Sequence, residues 1–390
     1  MEQRFVIKPH PDIELGFERK ELEYFLTFPD KPINQDTGLI LAIPGFGDRA
    51  DSDYQRNKLR PYLAGKYNCL VAGVNYFGIG IKGPKRGFNY ITAENLPALI
   101  DHIYGISPGS YMVNTVLRTD LLAETLKQKG IKRLDTLCRL IRTYAGGEYQ
   151  SFGFLPAVDC LAVVGDVLRR YGINRKKIVA FGSSYGGYIA LLLGKFAPKT
   201  FSRIIDNSGF VKVCLSDVAG KEFMSHEHIL IDGVGFPYAE DTPWTIIDDA
   251  SPNYFSDDCK SIRSVIKENH VMESDAKYCI FHSENDQLVK VQEKRQLVRL
   301  LESKSISVYY KEVNKNDIDG KVFKTLDHGM EASLRGLFDL AAGVCNNDLH
   351  KSTDTNDFDL NSTYTYDCGG KSYTFSFFHN FEIHVELRKN

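Results

Sequence analysis

Apolar residues fall along this chain in two alternating rhythms. Gly38–Ile43, Cys69–Tyr76, Ile178–Phe181, Phe201–Asn207, Lys277–His282 and Ile306–Val313 are short, nearly unbroken apolar runs. Such runs suit strands buried on both faces, as in the interior of a parallel sheet. Asn57–Lys66, Asp159–Tyr171, Val289–Leu301 and Glu331–Ala342 instead repeat apolar positions every three or four residues, which predicts amphipathic helices. Strands alternating with helices predict an α/β chain, a mostly parallel central sheet flanked by helices. Phe5–His10 and Leu22–Phe28 predict an antiparallel edge that opens the sheet.

Two stretches interrupt the alternation. Residues 79–154 delay the helix that should precede the strand at Ile178. Their second half predicts helix, because Leu121, Leu122, Leu126 and then Leu134, Leu137, Cys138 and Ile141 recur at three and four residues. Residues 208–276 follow the strand ending at Asn207, where a lid is commonly carried. The first insertion holds ten Lys plus Arg against six Asp plus Glu, a net +4, and the second holds five against thirteen, a net −8. Opposite signs fit two caps that face each other; they also fit two separate solvated surfaces, the commoner cause of charge runs.

After Ala342 the period changes to two. Residues 346–358 form a polar linker, and Ser362–Tyr366, Ser372–Phe378 and Phe381–Leu387 predict a hairpin and a third strand. One apolar face of this extension needs cover, from the main sheet or from a homo-oligomer contact. The expected organisation is a core of residues 1–345 carrying both insertions, then an extension over 346–390.

Composition narrows the picture. With 390 residues, 43% of them hydrophobic, the chain can bury a large core. A net charge of −2 gives no reason to expect nucleic-acid binding. No apolar run approaches the roughly 18 residues of a membrane span, and Met1–Lys8 has no signal-like apolar core, so no membrane partner and a cytoplasmic location are expected. The eight cysteines are scattered without a Cys-x-x-Cys pair and read as reduced core residues. His226-Glu227-His228 lies outside zinc-site spacing. Neither metal nor cofactor is expected.

The chemistry concentrates at Ile178-Val179-Ala180-Phe181-Gly182-Ser183-Ser184-Tyr185-Gly186-Gly187, an apolar strand running into G-x-S-x-G and then a helix-forming segment. That order is a nucleophile elbow, which holds its central serine on a sharp turn at the sheet's end. Ser184 is the candidate nucleophile. Asp286 ends a strand-like run and its polar turn, and His328 precedes a helix; they follow Ser184 in the order acid, then base. Glu284 and His350 are the rivals for those roles. The loop Pro44-Gly45-Phe46-Gly47 follows the strand Gly38–Ile43, so the backbone amides of Phe46 and Tyr185 are the candidate oxyanion donors. Lys82, Lys85 and Arg86, interleaved with glycines after another strand, are candidate ligands for a substrate carboxylate.

Gly182-Ser183-Ser184-Tyr185-Gly186-Gly187-Tyr188, His282-x-x-x-Asp286 and His328-Gly329 resemble the catalytic domain of the α/β-hydrolase superfamily, in particular its prolyl oligopeptidase branch. The resemblance implies nucleophile Ser184, acid Asp286 and base His328 on an α/β-hydrolase fold with two cap insertions and a C-terminal β extension. The chain is also similar to an uncharacterised hydrolase-like group associated with bacterial flagellin-glycan gene clusters. Three features depart from the peptidase pattern: His282 is followed by Ser283 rather than Gly, the oxyanion loop lacks a His-Gly-Gly start, and no propeller domain fits. These departures argue against peptidase activity. The expected function is a serine hydrolase that cleaves a small-molecule carboxylic ester, an acylated and acidic sugar among the candidates, through an acyl-enzyme. An acyltransferase using the same triad, or a non-catalytic binding protein on this fold, are the alternatives.

Overall fold

The computed structural model describes residues 1–79, 96–114, 116–134, 140–143, 148–220, 222, 228–344 and 346–390. Its principal sheet has eight strands: β1 (Glu2–Ile7), β2 (Leu22–Thr27), β3 (Gly38–Ile43), β4 (Cys69–Asn75), β5 (Ile178–Ser183), β6 (Arg203–Asn207), β7 (Lys277–Ser283) and β8 (Val308–Val313). Their order across the sheet is β1-β2-β4-β3-β5-β6-β7-β8. β1 and β2 pair antiparallel, and β2 pairs antiparallel with β4. All remaining pairs are parallel. Every residue of β3 and β6 is buried, whereas edge strand β1 has none buried, which accounts for the unbroken apolar runs at the centre.

Six helices of this part matter below: α1 (Arg60–Tyr67), α2 (Phe154–Arg170), α3 (Tyr185–Phe196), α4 (Asp257–Arg263), α5 (Val291–Ser303) and α6 (Leu334–Gly343). One sheet face presents Ile40, Ala42, Val71, Val179, Phe181, Ile205 and Phe281 to a core completed by Leu63 of α1 and by Leu337 and Phe338 of α6. Residues of the opposite parity, such as Leu39, Leu41, Ala180, Ile204 and Ile280, are buried on the other face, as strand alternation requires.

The chain divides into two compact units: residues 1–83, 151–213 and 256–390 form the first, and 84–150 with 214–255 form the second. In the second unit Leu140–Thr143 pairs in parallel with Tyr238–Asp241, and His228–Ile231 forms an antiparallel hairpin with Val234–Pro237. Ile100, Ile106, Tyr111, Leu122, Leu126, Leu134, Val234 and Phe236 share one core. Here the structure corrects one expectation. Among the described residues of that second half, helix covers Thr119–Gln128, whereas Leu140–Thr143 is a strand, because pairing with a distant segment outweighs local periodicity; Leu137 and Cys138 lie outside the described residues. By this division residues 256–276, the end of the second insertion, fall in the first unit with α4.

The extension forms a separate three-stranded antiparallel sheet, β9 (Thr363–Asp367), β10 (Lys371–Phe377) and β11 (Ile383–Lys389). Its alternating apolar face is covered within the chain by helices rather than by the principal sheet. Phe375 stacks on Phe196 of α3 at 4.3 Å, Tyr373 meets Phe154 of α2 edge-on at 5.3 Å, and the Tyr366 hydroxyl donates to the Lys195 carbonyl. All six described cysteines are free.

Candidate active site

β5 hands the chain to α3 through Ser184, whose φ of 55° and ψ of −123° place a non-glycine residue in a costly conformation. Its amide donates to the Asn207 carbonyl at 2.7 Å, and its carbonyl accepts from the Tyr188 amide at 3.0 Å. Backbone crowding explains the flanking glycines. A Cβ on Gly182 would lie 2.2 Å from the Gly186 carbonyl carbon, and one on Gly186 would lie 2.2 Å from the Ile43 oxygen of β3.

Asp286 occupies the turn after β7. Its Oδ1 accepts from the Leu288 and Val289 amides, each at 2.9 Å. The same carboxylate faces His328, with Nδ1 at 2.9 Å from Oδ2 and 3.1 Å from Oδ1. His328 Nε2 stands 2.8 Å from Ser184 Oγ. An ionised carboxylate only accepts, so Nδ1–H must donate to it; Nε2 then offers its lone pair to the Ser184 hydroxyl. Burial pushes the Asp286 carboxyl up, but the His328 and Val289 hydrogen bonds outweigh it and hold the group below the ordinary aspartate range.

His328 lies in a short turn, His328–Glu331, rather than directly against a helix. Gly329, Met330 and Glu331 take φ of 77°, 57° and 41°, so the helix expected from Glu331 begins only at Leu334. Met330 anchors this turn in the core beneath it.

Phe46 follows β3, and a Cβ on its neighbour Gly45 would lie 3.0 Å from the Ser183 carbonyl oxygen, so the loop runs directly against the elbow. The Phe46 ring stacks on the Tyr185 ring at 3.8 Å. Phe152 and Phe210 close around that pair, and the Phe210 ring lies 6.1 Å from the His328 ring. Full burial keeps the Tyr185 phenol far above its usual pKa; its oxygen accepts from the Gly153 amide at 2.6 Å. The structure therefore brings Ser184, Asp286, His328, Phe46 and Tyr185 together. Lys82, Lys85 and Arg86 lie outside the described residues. Glu284 is exposed, and His350 pairs with Asp348 at 2.7 Å. Among the described residues no group of three or more His, Cys, Asp or Glu could hold a metal ion.

Sequence reasoning missed the polar layer beneath this site. Asp206, near the end of β6, forms a fully buried ion pair with Lys294 of α5 and accepts from the Gly209 amide at 2.8 Å. Burial lowers the Lys294 amine, with Asp206 opposing the shift. His282 Nε2 donates to the Val289 carbonyl at 2.9 Å, gripping the turn that holds Asp286. Burial and then the Lys294 charge push His282 down to about 4. The available signal was the run Asp206-Asn207-Ser208, polar residues abruptly ending an apolar strand.

A mostly parallel sheet in this order, with a serine elbow after β5, is the α/β-hydrolase fold. Residues 3–387 match a family described as a protein of unknown function (DUF2920), and the chain belongs to that family. No curated protein matches the chain. Among solved structures, it is similar to an acylaminoacyl peptidase in complex with Z-Gly-Gly-Phe-chloromethyl ketone, with 14% identity over 92% of this chain and 43% of the peptidase, and a TM-score of 0.50. The Pyrococcus horikoshii acylaminoacyl peptidase matches at 14% identity over 91% of this chain and 42% of its own, with a TM-score of 0.48. A carboxylesterase from Lactobacillus plantarum WCFS1 matches at 9% identity over 90% of this chain and 100% of its own, with a TM-score of 0.44. The chain spans less than half the length of these peptidases.

Proposed function

We propose that this chain is a serine hydrolase that cleaves a small carboxylic ester through an acyl-enzyme. One observation carries the reading: Ser184 Oγ, the His328 ring and the Asp286 carboxylate form a continuous hydrogen-bonded chain, at 2.8 and 2.9 Å, on a strained elbow. In this mechanism Ser184 attacks the ester carbonyl as His328 Nε2 takes its proton, and the amides of Tyr185 and Phe46 stabilise the oxyanion. Asp286 stabilises the imidazolium. His328 then protonates the departing alkoxide, and water, deprotonated by the same ring, releases the acid and regenerates Ser184. The acylated sugar is the substrate class proposed on the strength of the family resemblance stated for the sequence.

The test is hydrolysis of p-nitrophenyl acetate and of acetylated sugars by the full chain and by Ser184→Ala. The variant should fold as the parent does and lose at least about a thousandfold in turnover, the usual cost of a missing triad member. Near-parental turnover by Ser184→Ala would overturn the assignment. Transfer of the acyl group to an added sugar, outrunning its release to water, would redirect it to acyl transfer.

A further inference from the structure

The histidine loop poses a mechanical problem. Gly329, Met330 and Glu331 all have positive φ, so the main chain that carries His328 is a kinked turn, closed by the Met330 amide donating to the Asp327 carbonyl at 2.8 Å, rather than part of a helix or strand. Two fully buried polar side chains reach that main chain from the ends of neighbouring strands. From β6, Asn207 Nδ2 donates to the Gly329 carbonyl at 3.2 Å and to Ser183 Oγ at 2.8 Å. The Asn207 carbonyl takes the Ser184 amide at 2.7 Å, so this one residue holds both the elbow and the loop. From β7, Ser283 Oγ donates to the Leu326 carbonyl at 2.6 Å and accepts from the Asn285 amide at 3.1 Å, joining the acid turn to the loop. The two grips fall on either side of His328. Ser283 is also the position where the chain departs from the glycine of the peptidase pattern, and glycine has no atom that could make this contact.

We propose that Asn207 and Ser283 are positioning residues forming a two-point clasp, which sets the height and angle of His328 over Ser184. Neither touches the reacting atoms. Each acts by fixing a carbonyl next to the base, and a displacement of about 1 Å in such a group costs on the order of a hundredfold in rate. The kinetic part of the inference rests on the hydrolase reading above; the mechanical part does not.

The experiment pairs kinetics with hydrogen exchange on the full chain. Ser283→Ala, which deletes one oxygen, should lower kcat for p-nitrophenyl acetate about tenfold or more and leave KM within about twofold. Amides of residues 324–331 should exchange at least about fivefold faster, with the rest of the sheet unchanged. Ser283→Thr keeps the donor and should recover most of both. Asn207→Asp, which sets a carboxylate against the Gly329 carbonyl, should act in the same direction; if it does not fold, the two Ser283 variants carry the test. In a His328→Ala background, Ser283→Ala should change residual turnover by less than about twofold, because the residue acts through the histidine. Unchanged loop exchange in Ser283→Ala, faster exchange with unaltered kcat, or an undiminished loss in the His328→Ala background would each overturn the clasp. If the parent shows no Ser184-dependent turnover, the hydrolase reading fails and the exchange result alone decides the clasp.

Discussion

His282 gives a stability measurement whose size follows from its surroundings. The ring is wholly buried between the acid turn and α5, facing the Lys294 ammonium and the Asp206 and Asp286 carboxylates, and its pKa is pushed from the usual 6.5 to about 4. In the unfolded chain it titrates normally. Between those two values the unfolded state therefore binds a proton that the folded state refuses, and acid favours unfolding. The contribution is fully present above about pH 6.5 and is lost as pH falls through about 4. At 1.36 kcal/mol per unit, this one site is worth on the order of 3 kcal/mol. His282→Gln removes the titration but keeps an N–H that can reach the Val289 carbonyl. Urea unfolding of parent and variant across pH 7.5 to 4.5 should show the parent losing more stability, by about 2–3 kcal/mol, so that the difference between the two curves shifts against the parent as pH falls. Parallel stability-against-pH curves would refute this account of His282.

Two further perturbations test the elbow and the extension. Gly186→Ala puts a methyl 2.2 Å from the Ile43 oxygen, a backbone atom held in the sheet, so the variant should lose both thermal stability and turnover; a near-parental melting temperature with full activity would show that the elbow has more room than its geometry allows. Phe375→Ala removes a ring stacked on Phe196 and should cost about 3–5 kcal/mol in urea unfolding, as deletion of a buried aromatic does, with little change in KM.

The parts of the site that were legible in the sequence are those set by short-range chemistry. Gly182, Ser184 and Gly186 announce a turn that only that spacing can make, and Asp286 follows a strand and His328 precedes a helix in the order the mechanism needs. The histidine turn was not legible, because Met330 and Glu331 are good helix formers and nothing local says that they sit at positive φ; the burial of Met330 decides it. Asn207 and Ser283 were invisible as partners because their targets lie 122 and 43 residues away along the chain. The strands of the extension were readable from alternation. Their cover was not, since the faces of α2 and α3 that receive Phe375 and Tyr373 belong to helices whose own periodicity does not say what will dock there.

Two segments that make up the second unit are parted by the whole of residues 151–213, which carry the elbow. They share one core, and the strand Leu140–Thr143 has its parallel partner in the later segment. During synthesis the first segment must therefore wait, its apolar face uncovered, while the ribosome completes the nucleophile and its helix. Removing the later segment takes Val234 and Phe236 out of that core and leaves Leu140–Thr143 without its parallel partner, so a graft of the first segment alone carries an unpaired strand edge with it.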